Sequence, residues 1–133
     1  FPASGERLIE GLGLLPVVTE PATPRSVGEL LTDSTIGIGT LTGFENHAGQ
    51  SKFVEKLQPL GITKRGIGNH KSESCDGAVT DQIIATYMHG PALVRNPKLA
   101  DYFLSRKLGE LAPIASDSVF TELHSTCVER AAR

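Results

Sequence analysis

The side chains best suited to chemistry stand in the run Thr86-Tyr87-Met88-His89-Gly90-Pro91. Gln82 to Met88 reads as a strand bounded by Asp81 and Gly90. It delivers a histidine just where Gly-Pro turns the chain away. Reactive groups gather at the carboxyl ends of strands in open α/β sheets, and an imidazole there suits general base work. The same residues also fit an ordinary strand-end histidine bonded to its neighbours. A second cluster, Gly43-Phe44-Glu45-Asn46-His47-Ala48-Gly49-Gln50-Ser51, sets three consecutive polar groups behind an apolar strand. Such a group binds or orients a polar substrate, or satisfies backbone groups at a strand-to-turn junction. Arg25, in the loop Pro21-Ala22-Thr23-Pro24-Arg25, offers a forked donor that fits a carboxylate, and equally a solvated surface charge.

Other chemistry finds less support. Glu45, His47, His70, Cys75 and His89 lack the tight spacing of a structural zinc site, so no metal is expected. Cys75 lies in Glu73-Ser74-Cys75-Asp76-Gly77, without the strand and the preceding glycine that a nucleophile elbow needs. Cys127 falls on the apolar side of a helix and reads as core. The pairs Gly11-Leu12-Gly13, Gly37-Ile38-Gly39 and Gly66-Ile67-Gly68 complete no phosphate-binding loop, so no ATP site is expected in this chain.

The elements that must position these groups read as strands followed by helices. Leu12–Val18 and Val27–Thr32 are strand candidates, with Thr19–Ser26 between them as a loop marked by Pro21 and Pro24. Ile36–Phe44 and Leu60–Ile67 are further strands. Glu45–Ser51 should lie at a strand end and His70–Asp76 in a polar loop. Asn96-Pro97 starts a helix, with Asn as N-cap and Pro at the first helical position. Leu99, Phe103 and Leu104 share a face of it, and Gly109 ends it. A last helix runs from about Asp117, with Phe120, Leu123, Cys127 and Ala131 at helical spacing.

The chain has 133 residues, enough for one domain or part of one. It is 39% hydrophobic and 21% charged, which supports a core and excludes a solvated disordered tail. A net charge of −2 with no basic stripe argues against nucleic acid. No apolar run reaches membrane-spanning length, and no signal peptide opens the chain. Two distant cysteines make a reducing, cytoplasmic setting the default. Starting at Phe1 without Met, the sequence looks cut from a larger protein.

Three segments together resemble one family. Ile9-Glu10-Gly11-Leu12-Gly13-Leu14-Leu15, Phe44-Glu45-Asn46-His47, and Thr86-Tyr87-Met88-His89-Gly90-Pro91 with Arg95-Asn96-Pro97 are similar to the GatD proteins, glutaminase subunits of lipid II isoglutaminyl synthase. Cobyric acid synthase amidotransferase domains carry related but less exact segments. The resemblance implies an α/β, flavodoxin-like class I glutamine amidotransferase with a mixed sheet and C-terminal helices. Residues 1–133 would be the C-terminal part of that single domain, the nucleophile lying in a Cys-Gly-Gly-Tyr-Gln-like turn upstream of this sequence.

By the same resemblance, His89 is the catalytic histidine and Arg25 positions glutamine. Glu45, Asn46 and His47 take a supporting role. The intact protein would hydrolyse L-glutamine and pass ammonia to a MurT-type, Mur-ligase-like subunit. That partner would bind ATP and amidate D-glutamate in the lipid II stem peptide. The sequence departs from many class I enzymes at Pro91, where they place an orienting glutamate two residues after the histidine. The carboxylate for His89 is then expected from elsewhere, the partner subunit being one source. A cobyric-acid-type amidotransferase and a non-catalytic binding module are the rival readings.

Overall fold

The computed structural model describes residues 9–133. Its centre is a long hairpin of β1 (Val17–Ser34) and β2 (Thr40–Phe53), paired antiparallel with Leu30 opposite Gly43 and Thr32 opposite Leu41. Gly37 and Gly39 turn the chain between them at positive φ, a conformation glycine adopts without steric cost. β3 (Gly61–Arg65) pairs with the last four residues of β1, and β4 (Cys75–Asp76) pairs with β3. The order is β2-β1-β3-β4, so β2 is an edge strand. β5 (Ala78–Val79) and β6 (Ile84–Ala85) form a separate small ribbon. Three helices follow, α1 (Ala92–Arg95), α2 (Pro97–Leu108) and α3 (Asp117–Ala132). The fold is thus α/β, an antiparallel sheet with C-terminal helices. Every strand pair among the described residues is antiparallel, so the parallel component of the expected mixed sheet is not found there.

Several elements differ from the sequence reading for identifiable reasons. Thr19–Ser26 is strand, not loop. Pro21 and Pro24 are tolerated because β3 pairs only with Leu31–Ser34, leaving this stretch of β1 without a strand neighbour on that flank among the described residues. The pairing with β2 shifts register between Pro21 and Ser26, which accommodates the break. Glu45–Ser51 lies inside β2 rather than at its end, with Glu45 and His47 buried and Phe44 and Asn46 exposed, the alternation of a strand with one covered face. Ile36–Gly39 is the hairpin turn, and Leu12–Pro16 is irregular. Of Gln82–Met88, only Ile84 and Ala85 are strand.

The helix starts agree with the sequence reading. Gly109 closes α2 at positive φ, while α1 had no signal that set it apart from the turn before α2. Leu99 is the one fully buried residue of α2, with Phe103 and Leu104 partly open to solvent. In α3, Ala131 is buried, Cys127 half-buried and Leu123 exposed, and His124 turns inward to bond the Arg95 carbonyl.

Leu30, Leu41, Leu60, Val79, Met88 and Leu99 form the apolar core, with Ile36, Ile38, Ile84, Tyr87 and Ala92 around it. Thr32, Thr42, Glu45, His47, Gln50, Asn69, Asp76 and Asn96 are buried as well. An interior this polar holds only if its groups bond one another. Asn69 illustrates this: its amide receives the Gly77 N–H at 2.7 Å and donates to the Gly77 carbonyl at 2.8 Å, closing the turn between β4 and β5.

Gly77 sits there at φ +70°, and a Cβ would stand 2.1 Å from the Ala85 oxygen, whereas Gly90, at φ +76°, faces open space. In the intact protein, Gly77→Ala should therefore cost roughly 2–5 kcal/mol, combining left-handed strain with overpacking, and Gly90→Ala about 1–2 kcal/mol from strain alone. Denaturant unfolding measures both, and equal losses would contradict this packing.

Candidate functional site

His89 does not end a long strand. It is held by a chain of polar contacts that interrupts one. The buried Asp76 carboxylate accepts the Thr86 hydroxyl and, at 3.0 Å, the Tyr87 N–H. Thr86 Oγ1 in turn accepts the Met88 N–H at 3.0 Å. These bonds capture groups that a sheet ladder would otherwise use, which is why β6 stops at Ala85. The next donor, the His89 N–H, reaches the Phe44 carbonyl on β2 at 2.7 Å. His89 is exposed, and among the described residues no carboxylate lies in ion-pair range of its ring.

Beneath it lies a built polar group. Glu45 is received by the loop Gly66-Ile67-Gly68, whose Ile67 and Gly68 N–H groups donate to its two oxygens at 2.8 and 3.0 Å. Backbone nests of this kind bind anions, and here the anion is the protein's own carboxylate. A Cβ on Gly66 would come within 2.9 Å of Glu45 Oε1, so the loop closes tightly on it. His47 Nδ1 donates to the Gly49 carbonyl at 2.6 Å, and its Nε2 faces Glu45 Oε2 at 3.1 Å. The hydrogen in that second contact belongs to the pair, whichever atom carries it.

The His47 ring stacks on Tyr87, centroids 3.9 Å apart, and lies nearly parallel to the His89 ring at 6.5 Å. Tyr87 is anchored at its far end, where its hydroxyl meets Ser51 at 2.8 Å and Ser51 meets Thr19 at 2.6 Å. His47 and Tyr87 thus form a stacked floor under the His89 segment.

The sequence-derived candidates divide into two groups. Glu45 and His47 lie on the buried face of β2, where the His47 ring stands 6.5 Å from that of His89. Arg25 and Asn46 meet on the exposed side: Arg25 Nε donates to Asn46 Oδ1 at 2.5 Å and Nη2 to the Asn46 carbonyl at 2.8 Å. One edge of the guanidinium fork is thereby occupied and its plane fixed, leaving the end formed by Nη1 and the second Nη2 hydrogen. Asp76 and Tyr87 had no assigned role in the sequence reading. Nothing local marks Asp76, which is paired only through the fold. Asn96, read as a helix cap, makes no side-chain cap bond and points to β2 instead.

Among the described residues, no side-chain hydrogen bond ties either cysteine to His89, Glu45 or His47. Cys75 bonds weakly with Asn69 and Glu73, and burial, then the Glu73 charge, pushes its thiol above the ordinary range. That disfavours the thiolate a nucleophile requires. Among the described residues, no three His, Cys, Asp or Glu side chains group to hold a metal ion, and no helix is long and apolar enough to cross a membrane.

Residues 3–97 match the CobB/CobQ-like glutamine amidotransferase domain family. The chain is 36% identical over 98 residues to the lipid II isoglutaminyl synthase (glutamine-hydrolyzing) subunit GatD of Staphylococcus aureus, covering 74% of this chain and 39% of that protein. It is 36% identical over 99 residues to the GatD of Streptococcus pneumoniae, covering 74% and 38%. A probable cobyric acid synthase of Methanosphaera stadtmanae is 36% identical over 90 residues, covering 62% of this chain and 18% of that protein. The chain therefore spans about two fifths of the length of these GatD relatives.

Asp76 offers a test of the geometry that needs no relative. Burial raises its pKa most, the Glu45 charge adds to this, and the Thr86 and Tyr87 bonds and His47 oppose it. A carboxyl whose folded pKa lies above its unfolded value contributes stability that is full below the unfolded value and lost as pH rises through the folded one. The stability of the intact protein relative to its Asp76→Asn variant should thus be greatest in acid and fall as pH rises from about 4 upward. Denaturant midpoints across pH measure it, and a difference independent of pH would remove Asp76 from this account.

Proposed function

The chain belongs to the CobB/CobQ-like glutamine amidotransferase family, and from that premise we propose that the intact protein is a GatD-type glutaminase in which His89 is the general base. Residues 1–133 form the C-terminal part of one amidotransferase domain, and the nucleophilic cysteine stands in the part that precedes them. The observation that carries this reading is the placement of His89. Its main chain is pinned to β2 through the Phe44 carbonyl while its ring is exposed and, among the described residues, its nitrogens make no hydrogen bond or ion pair. A structural histidine would have its ring nitrogens satisfied, as those of His47 are.

In the proposed reaction the cysteine thiol loses its proton to His89, and the thiolate attacks the side-chain amide carbon of L-glutamine. The tetrahedral species collapses as His89 returns the proton to the departing nitrogen. Ammonia leaves, and a γ-glutamyl thioester remains. Water, activated by the same imidazole, then hydrolyses the thioester to glutamate. Arg25 meets the substrate α-carboxylate with the end of its fork that Asn46 leaves free. Asn46 also bears on the choice of branch. A cobyric-acid-type enzyme is expected to carry a Glu-Ile-His-like segment here, and an apolar side chain cannot accept the Arg25 Nε–H.

The product ammonia passes to a MurT-type ligase subunit that binds ATP and amidates D-glutamate of the lipid II stem peptide, in the cytoplasm, during peptidoglycan synthesis. Ammonia released to bulk water would be protonated and lost as a nucleophile, which explains coupling the two sites. Among the described residues no carboxylate pairs with His89, and an imidazole without its orienter is a weakened base. The partner subunit supplies that carboxylate, so the glutaminase gains activity in the complex.

The test is glutamate release by the intact protein with and without its ligase partner. His89→Ala should lower kcat by about 10³-fold or more, while Cys75→Ala and Cys127→Ala should leave it within about twofold. The 133-residue chain alone should release no glutamate. Activity that survives His89→Ala would remove this histidine from the mechanism.

A further inference from the structure

Resting on the assignment of His89 as base, we propose that Asn96 is a positioning residue that sets where the His89 imidazole stands. β2 is an edge strand, and its outward backbone groups at Thr42 and Phe44 have no neighbouring strand among the described residues. Asn96 fills that vacancy at Thr42. Its Oδ1 accepts the Thr42 N–H at 2.8 Å and its Nδ2 donates to the Thr42 carbonyl at 2.8 Å, the pair of bonds a neighbouring strand residue would make. The second Nδ2 hydrogen goes to the Ala92 carbonyl at 2.7 Å, tying α1 into the same joint. Two residues along the same edge, the Phe44 carbonyl takes the His89 N–H. The segment from His89 to Asn96 is therefore fastened to β2 at both ends, on alternate residues of one edge.

The choice of Asn follows from this joint and not from the helix start. At an N-cap position an Asn side chain ordinarily bonds the first turn of the helix, and here it makes no such bond. Asn96 is 1% exposed and both its amide hydrogens and its oxygen are used. Arg95 reaches the same region through Glu29 and Thr42 Oγ1, but its buried Nε has no partner. Asn96 is thus the satisfied tie. Without it, the segment after His89 keeps on β2 only the His89 N–H and the Arg95 bond to Thr42 Oγ1, and the imidazole can shift relative to the sulfur it serves. A displacement of about 1 Å in a reacting group costs on the order of 100-fold in rate.

The experiment is a double-mutant cycle on the intact protein in its complex, joined to amide hydrogen exchange. Asn96→Ala should lower kcat about 10- to 100-fold with KM within about twofold, and should add no further loss in the His89→Ala background. An equal loss in both backgrounds would show Asn96 acting without His89 and overturn the proposal. If Asn96→Ala does not fold, Asn96→Asp keeps an acceptor for the Thr42 N–H while losing both donations, and the same cycle applies. In the unsubstituted protein, the Thr42 and His89 amides should exchange together and more slowly than that of Gly90. A His89 amide that exchanges freely would also overturn the proposal. Full activity in His89→Ala would instead sink the underlying assignment, so the two failures are distinguishable.

Discussion

The backbone groups along the open edge of β2 have to be satisfied, and the way they are satisfied organises the rest of the molecule. A strand edge in a buried setting cannot leave its N–H and C=O groups bare without a cost of about 1–3 kcal/mol each. No strand among the described residues pairs with that edge. The chain meets the demand with a main-chain N–H from His89 and a carboxamide from Asn96. Both partners come from the stretch that links the last strand to the helices, so the edge that lacks a strand is also the edge that fixes the imidazole. Asn96 also ties α1 to this joint through the Ala92 carbonyl, while Arg65 of β3 makes a separate tie to the Ala131 carbonyl near the end of α3.

The second organising feature is a polar interior placed under the site. Glu45, His47 and Asp76 are all buried, and each is tied to a backbone group: Glu45 to the Ile67 N–H, His47 to the Gly49 carbonyl of its own strand, and Asp76 to the Tyr87 N–H. Burying such groups is unfavourable unless each is paired, and paired they are rigid. Rigidity is what an exposed general base requires of its surroundings, since its own ring must be free to meet a thiol and a leaving group. The arrangement divides the contacts: His47 is held on both ring nitrogens and serves as floor, while the His89 ring is left open, as the proposed role of base requires.

The catalytic candidate was legible because its signal is local: a histidine before Gly-Pro within a run similar to a known family. The two long helices were legible from Asn96-Pro97, Gly109 and apolar spacing for the same reason. The strand over Gln82–Met88 was overestimated because the competitor for its backbone, Asp76, lies in what read as a polar loop and announces itself only once folded. Thr19–Ser26 misread in the other direction, since proline breaks a strand only where a neighbour needs its missing donor, and that depends on how far β3 extends. Asn96 carried a correct local reading, the helix start, and a second duty across 54 residues that no local pattern reveals. The pairing of Arg25 with Asn46 was hidden likewise, although both residues had been singled out separately.

The central claim is that His89 is held in place to face a cysteine supplied from outside these 133 residues. A crystal structure of the intact protein in complex with its ligase partner tests it most directly, through the separation between the His89 ring and the nearest cysteine sulfur. The account predicts a ring nitrogen within about 3–4 Å of a sulfur at a strand-to-helix turn, allowing for the longer contacts of a resting site, with a partner carboxylate behind the ring. A ring turned away from every sulfur, or covered by apolar side chains, would contradict it.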